Sequence, residues 1–436
     1  MLPELNAERM KYIFMNMDDA VCMTGRAGQL LFANPAAEKL FGLKRWENGR
    51  IWDVIPYVPG NDELIQLFID GVTERKAVNS LVDYVNNEGN AFRLHVSLTK
   101  ETDETGLVLI VISDLTRLVK VRNAFERYTS PEIANYVLAT PEGEKQGGQA
   151  RDVSILMSDL RGFTALSTRL DSKGLITMLN HYFEYMNAAI ERHGGTVIEF
   201  LGDGIFVVFG APADLPGHAA AAVTCAVEMQ NAMKEVNAWN REMNYPELEM
   251  GIAVHSGTAI VGNIGSEKKM KYGCMGEVVN LAGRIESLSI GGQVLISEIT
   301  RDRIAEPLQI ASEQPFMPKG ARKEIRVFEV AGIGTVRLAG NGKETKWTTP
   351  AEKCEVLFRE LQGKSVEGDW HSGELTRISE DEKYGMLDTR ETLAPMQNLL
   401  IRIGDADTYA KVLHAEGKEY RFCFTTKPAN LFKKEC

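Results

Sequence analysis

Between residues 151 and 257 the sequence sets six elements in one order, and that order constrains the chain more than any other feature. "VSILMS" (153–158) is a strand-like run that delivers Asp159 to its end. "LRGFTALS" (160–167) turns into a helix. "GLITMLNHYFEYMNAAIERHGG" (174–195) is an amphipathic helix with Leu175, Leu179, Phe183, Met186 and Ile190 spaced for one face, ended by Gly194-Gly195. "VIEFLGDGIFVVFG" (197–210) reads as two strands around the turn Gly202-Asp203-Gly204. A helix from about Pro216 to Met243 and the strand "LEMGIAVHSG" (248–257) complete the series.

The order β-α-β-β-α-β is that of a ferredoxin-like core. In such a core the first strand lies beside the central hairpin, so Asp159 and Asp203 come together. Two carboxylates at one place repel unless a cation lies between them. With no Cys or His nearby, hard oxygen ligands suit Mg2+ or Mn2+. Taken singly, Asp159 reads equally well as a helix cap and Asp203 as a turn residue. Glu199, inside the first strand of the hairpin, shares a face with Val197 and Leu201 if the strand alternates regularly.

Three stretches resemble one family. "SILMSDLRGFTALS" and "GGTVIEFLGDGIFVVFG" are similar to the two metal motifs of class III nucleotide cyclases, and "HSGTAIVGNIGSEKKMKYGCMGEVVNLAGRIES" to their substrate and transition-state block. The resemblance covers about 180 residues in order. It implies a head-to-tail homodimer with two composite sites, each holding two Mg2+ or Mn2+ ions on Asp159 and Asp203. It implies that the backbone at Leu160, Gly162, Phe163 and Thr164 cradles phosphates, and that Asn280 and Arg284, one helical turn apart, stabilise the transition state. In this family the residue four before the second metal Asp reads the purine, Lys for adenine and Glu for guanine; here it is Glu199. A carboxylate accepts from guanine N1–H and N2–H2 together and repels the bare N1 of adenine. The second reading position is usually Asp or Thr for adenine and Cys for guanine. Here it is Gly273, which supplies no side-chain donor to guanine O6; a backbone N–H, a water, or a one-residue shift bringing in Cys274 remain open. Lys319, Arg322 and Lys323 are candidates for a γ-phosphate contact. The resemblance implies GTP as substrate and cyclic GMP with pyrophosphate as products. An adenylate cyclase with unusual base contacts and an inactive nucleotide-binding module are the alternatives; a diguanylate cyclase is argued against by the absence of a GG(D/E)(D/E)F motif.

Around this centre the chain divides. Polar, glycine-bearing stretches at 140–152 and 332–350 read as linkers. Residues 7–116 alternate strands and helices, with a hairpin around Gly25–Gly28 and a short helix "PAAEKLF" ended by Gly42, and resemble a PAS sensor or dimerisation domain whose ligand the sequence does not name. His95 there sits in a strand pattern and reads as a packed side chain rather than a haem ligand. Residues 117–150 form a helical signalling linker, with Leu118, Val121 and Phe125 in one-face spacing and a helix start at Ser130-Pro131-Glu132. Residues 151–331 are the catalytic domain, and 350–436 a small β-rich barrel resembling PilZ domains without their cyclic di-GMP motifs. The expected class is thus α+β and multidomain: PAS-like sensor, helical linker, ferredoxin-like cyclase core, small β-barrel. A net charge of −11 with no long basic block argues against nucleic acid or an anionic membrane as partner. The six cysteines are scattered and suggest neither a zinc site nor a disulfide framework. With no signal-like start and no apolar run near 18 residues, the expected location is the cytoplasm.

Overall fold

The structure, a computed structural model, describes residues 7–43, 49–74, 77–100, 107–167, 170–318, 324–339, 346–350, 353–362, 365–366, 369–404 and 406–425. It divides into two compact units, Met1–Tyr128 and Thr129–Cys436.

The first unit runs α1 (Ala7–Met15), β1 (Ala20–Thr24), β2 (Leu30–Ala33), α2 (Pro35–Phe41), a 3-10 turn (Ile51–Val54), α3 (Asp62–Thr73), β3 (Val78–Val85), β4 (Ala91–Lys100), β5 (Val108–Asp114) and α4 (Thr116–Tyr128). Its strands form one sheet in the order β2-β1-β5-β4-β3. Asn34 starts α2, its Oδ1 accepting from the Ala37 N–H at 2.9 Å, and the helix ends at Gly42 as the sequence predicts. Phe41, Leu64, Phe68, Leu94 and Ile110 fill the space between the helices and the sheet. His95 is half-buried on β4, and its ring bonds the side chain of Asn79. Leu118 and Val121 of α4 are exposed.

The second unit opens with α5 (Pro131–Ala139), where Ser130 accepts from the Ile133 N–H and Pro131 takes the first helical position. Then follow β6 (Gly147–Leu160), α6 (Phe163–Ser167), α7 (Ser172–Arg192), β7 (Gly195–Leu201), β8 (Gly204–Phe209), α8 (His218–Glu242), β9 (Met250–Ser266), β10 (Lys269–Met275), α9 (Glu277–Glu286), β11 (Val294–Ser297), α10 (Glu298–Arg301), β12 (Leu308–Phe316), β13 (Ile325–Ile333) and β14 (Val336–Arg337). The sheet order is β12-β13-β11-β9-β6-β8-β7, with β10 folded back on β9. The central β9-β6-β8-β7 order is the ferredoxin-like arrangement expected, and it puts β6 between β9 and β8. Strand β6 begins inside the stretch read as a linker, because Gly147–Arg151 find backbone partners at Asn263–Ala259 of the long β9.

Helices α7 and α8 cover one face of this sheet. Met178, Tyr182, Met186, Val223, Ala226 and Met229 pack there on Leu156, Val207 and Val254. The fully buried seam of α7 is Met178-Tyr182-Met186-Ala189-Ile190, which keeps Met186 and Ile190 of the expected stripe; Leu175, Leu179 and Phe183 are half-buried beside it. On the other face α5 and α9 bury Ile133, Val278 and Ala282 against Val153, Ile155, Val208 and Val261. Helix α9 and the segment leading into the core thus share one apolar cluster.

The remaining strands are β15 (Trp347–Thr348), β16 (Cys354–Gln362), β17 (Ser365–Val366), β18 (His371–Ser379), β19 (Tyr384–Asp388), β20 (Asn398–Ile403), β21 (Ala406–Glu416) and β22 (Glu419–Phe424). A β16–β18 pairing closes β18-β19-β22-β21-β20-β16 into a barrel around Phe358, Leu375, Leu399 and Phe422. Cys354 is disulfide-bonded, so the scattered cysteines are not all free thiols as expected. Among the described residues no helix is long and apolar enough to cross a membrane.

Candidate active site

Asp159 lies next to the last residue of β6, and Asp203 lies in the turn between β7 and β8. Pairing of Ser158 with Ile205 sets the turn against the end of β6. Gly202 has φ +71°, which a side-chain-bearing residue rarely adopts. Gly204 is needed for proximity: a Cβ there would stand 2.7 Å from the carbonyl oxygen of Ser158. The turn therefore rests directly on β6, and the two carboxylates meet. The Leu160 N–H donates to Asp203 Oδ2 at 3.2 Å.

The electrostatics reflect this crowding. Burial, then the charge of Asp159, push the Asp203 carboxyl up to about 6. Burial also raises Asp159, against the pull of the Arg161 guanidinium and a hydrogen bond with Asp203. Two half-buried carboxylates, both raised by burial and Asp203 raised further by the charge of Asp159, fit a hard divalent cation, which relieves both. Among the described residues no group of three or more His, Cys, Asp or Glu side chains is placed to hold a metal ion. The rest of a cation's shell would have to be water, backbone oxygen or substrate phosphate, which is how Mg2+ is usually held.

Arg161 ties this corner to α9. Its Nη1 lies 3.4 Å from Asp159 Oδ2. Its Nη2 donates to the Glu286 carbonyl at 3.2 Å and to Ser289 Oγ at 2.8 Å, and pairs with the Glu286 carboxylate. Asn280 and Arg284 stand four apart on the exposed side of α9. Among the described residues no hydrogen bond or ion pair joins either side chain to Asp159 or Asp203.

The base-reading positions come together on the edge formed by β7 and β10. Glu199 is exposed, and its Oε1 lies 2.6 Å from Lys271 Nζ. Regular alternation fails here: a bulge between Val197 and Glu199 sets Glu199 opposite Phe206 and leaves Glu199, Phe200 and Leu201 all exposed. Lys271 and Gly273 point to one side of β10, while Tyr272 and Cys274 point into the core. Burial pushes the Cys274 thiol up to about 12. Gly273 is half-buried, with Ile264 Cδ1 3.2 Å from where a Cβ would sit.

Of the expected phosphate cradle, Gly162, with φ +70°, and Phe163 open α6, and the Leu160 N–H is taken by Asp203. Thr164 lies within α6; its side chain, and Lys319, Arg322 and Lys323, lie outside the described residues. Sequence reasoning passed over Lys271, Arg161 and Glu286. The signal for Lys271 was its spacing, two residues before Gly273 on a strand and so on the same face.

Residues 146–332 match the family described as the adenylate and guanylate cyclase catalytic domain. These residues form a class III nucleotide cyclase catalytic domain. Residues 8–74 match the PAS domain family. Among relatives of this chain, Adenylate cyclase 1 of Rhizobium meliloti (strain 1021) is 29% identical over 43% of this chain and 29% of its own length. Among solved structures, the guanylyl cyclase Cya2 is 44% identical, with 44% of this chain and 100% of that chain covered and a TM-score of 0.44. The adenylyl cyclase CyaB from P. aeruginosa is 31% identical over 44% of this chain and 99% of that chain, with a TM-score of 0.41. The chain spans about half or less of the length of the curated relatives it matches. The matched curated relatives and solved structures carry the names of both adenylate and guanylyl cyclases, so the family match does not choose the base.

Proposed function

We propose that the chain is a guanylate cyclase that converts GTP to 3',5'-cyclic GMP and pyrophosphate, with the N-terminal domain regulating turnover. The observation that carries the reading is the convergence of Asp159 and Asp203 on the helix start after Leu160. In this reading the two carboxylates hold two Mg2+ or Mn2+ ions. Bound there, such ions neutralise the triphosphate and ease loss of the ribose 3'-hydroxyl proton. The bond from the 3'-oxygen to the α-phosphorus forms, the bond to the bridging oxygen breaks, pyrophosphate leaves, and the hydroxyl proton goes to solvent. Backbone N–H groups of Gly162, Phe163 and Thr164 at the start of α6 donate to phosphate oxygens. Arg284 and Asn280 act on the charge that develops at the α-phosphoryl group.

The sites are composite in this reading. The Asn280/Arg284 helix and the Glu199 edge of one protomer face the acids of its partner in a head-to-tail dimer. Exposed Phe200, Leu201, Met270 and Met275 around the base edge supply apolar surface for that pairing.

Glu199 accepts from guanine N1–H and N2–H2. Lys271, in contact with Glu199, supplies the donor for O6 that Gly273 lacks. Adenine reverses both contacts, presenting a bare acceptor to the carboxylate and an amino donor to the ammonium. An exposed Glu–Lys pair contributes only about 0–1 kcal/mol to stability, so folding alone gives little reason to hold one here.

Product analysis with GTP and ATP in parallel, each with Mg2+ and Mn2+, tests the proposal. Cyclic GMP is the expected product, with cyclic AMP formed far more slowly. Cyclic AMP at an equal rate would overturn the base assignment. No cyclic nucleotide from either substrate would leave a nucleotide-binding module.

A further inference from the structure

The barrel meets the cyclase core through a buried lysine, Lys411, and a half-buried one, Lys383. Ala410 and Val412 on β21 line the barrel interior, so strand alternation turns Lys411 outward. Lys411 is nonetheless only 4% exposed, because the core covers it. Its Nζ donates to the carbonyl oxygens of Ser287 at 2.8 Å and Leu288 at 3.1 Å, and lies 3.5 Å from that of Ser289. Ser287 is the C-cap of α9, where groups lack partners within the helix and negative partial charge collects, and the other two carbonyls lie just past it. Lys383, between β18 and β19, donates to Glu249 Oε1 at 3.0 Å and to the Gly291 carbonyl at 2.9 Å. The two ammonium groups thus bracket residues 287–291, which Arg161 holds from the core side through Glu286 and Ser289.

As adhesive alone, a buried ammonium bonded to neutral carbonyls is a poor choice, since an apolar side chain would seat the barrel without desolvating a charge. Burial, reinforced by the charge of Arg161 and opposed by Glu286, draws the Lys411 ammonium down to about 8. What a lysine provides is direction: several donors aimed at one helix end.

We propose that the C-terminal barrel is a positioning domain for α9, in which Lys411 fixes the end of the helix and thereby the placement of Asn280 and Arg284. Lys411 touches no substrate and acts through the helix. The inference rests on the reading that Asn280 and Arg284 serve turnover.

The test uses the full chain with Lys411→Met, comparing steady-state kinetics with hydrogen exchange at residues 281–291. The expected result is a roughly tenfold fall in kcat, KM for GTP changed by less than about twofold, and roughly tenfold faster exchange at the amides of Ser287, Leu288 and Ser289. A rise in KM alone, an unchanged kcat, or native exchange with reduced kcat would each overturn the proposal. Should Lys411→Met fail to fold, Lys383→Met at the other end of the same segment takes its place, with the same outcomes deciding. If the wild type turns over neither GTP nor ATP, the cyclase reading fails. The exchange comparison then decides alone whether the barrel fixes α9, with native exchange in the variant counting against it.

Discussion

Glu199 on β7 and Lys271 on β10 meet at 2.6 Å, and together they present an acceptor beside a donor at the edge proposed to read the base. Guanine offers the complementary series, O6 as acceptor and N1–H and N2–H2 as donors. Lys271→Met should lower kcat/KM for GTP by about ten- to a hundredfold, the worth of one charge-assisted hydrogen bond. The triphosphate of 2-aminopurine riboside, which lacks O6, should be turned over equally by wild type and variant. If both substrates suffered alike, Lys271 would be acting on Glu199 and not on the base.

Glu199→Lys should abolish GTP turnover, because it sets a donor against two donors. ATP turnover should rise only modestly, since Gly273 offers the adenine amino group no acceptor. Adding Gly273→Asp should raise it further and non-additively, as two contacts to one base couple. Room exists for the new side chain, because the nearest atom to its Cβ is the flexible end of Ile264. Cyclic GMP formation by Glu199→Lys at the wild-type rate would make Glu199 an ordinary solvated strand residue.

Asp203→Asn should separate stability from activity. The carboxyl of Asp203 sits at about 6 in the folded chain against an ordinary 3.8. The sign follows: an acid whose pKa is raised by folding disfavours the fold at neutral pH, and the cost is relieved as pH falls through about 6 towards 3.8. Asparagine keeps an acceptor for the Leu160 N–H and removes the charge. The variant should therefore melt higher than wild type at pH 7 without metal, lose that advantage near pH 4, and show at least a hundredfold lower turnover with Mg2+. Near-normal activity would contradict the metal assignment, and a lower melting temperature at pH 7 would contradict the crowding of the two acids.

Gly204→Ala tests the packing that brings the acids together. The added methyl would meet the Ser158 carbonyl at 2.7 Å, and backbone cannot move aside as a side-chain end can. Lifting the turn from β6 should cost about 1–3 kcal/mol in stability and reduce turnover by more than that loss of folded protein explains. Unchanged kinetics would show that the turn tolerates displacement.

Much of this was legible in the sequence because it depends on local order. The ferredoxin-like core follows from element order, the meeting of Asp159 with Asp203 follows from strand adjacency, and the helix start at Ser130-Pro131 follows from capping chemistry. What escaped depends on tertiary context. The bulge before Glu199 breaks the period that alternation assumes. The buried seam of α7 is set by α8, which no pattern within α7 reveals. Lys411 reads as one more surface lysine on a strand, and only the docked core buries it. Arg161 and Glu286 lie 125 residues apart, and each looks like an unremarkable charge until the sheet joins them.

Arg284→Ala should lower kcat far more than it raises KM, since its contact is proposed to strengthen in the transition state. A shift confined to KM would place Arg284 in ground-state binding. The proposed composite site makes a stronger test possible. Mixing Arg284→Ala with Asp203→Asn subunits should create heterodimers with one intact site, recovering roughly a quarter of wild-type activity when random pairing makes half the dimers mixed. Glu199→Ala should also be rescued by Asp203→Asn, because its contact lies in the opposite half-site. It should not be rescued by Arg284→Ala, because those two residues serve the same half. A mixture of Arg284→Ala and Asp203→Asn that stays inactive, with mixed dimers demonstrated by differential tagging, would require the acids and Arg284 of a single chain to act together and would end the composite-site reading.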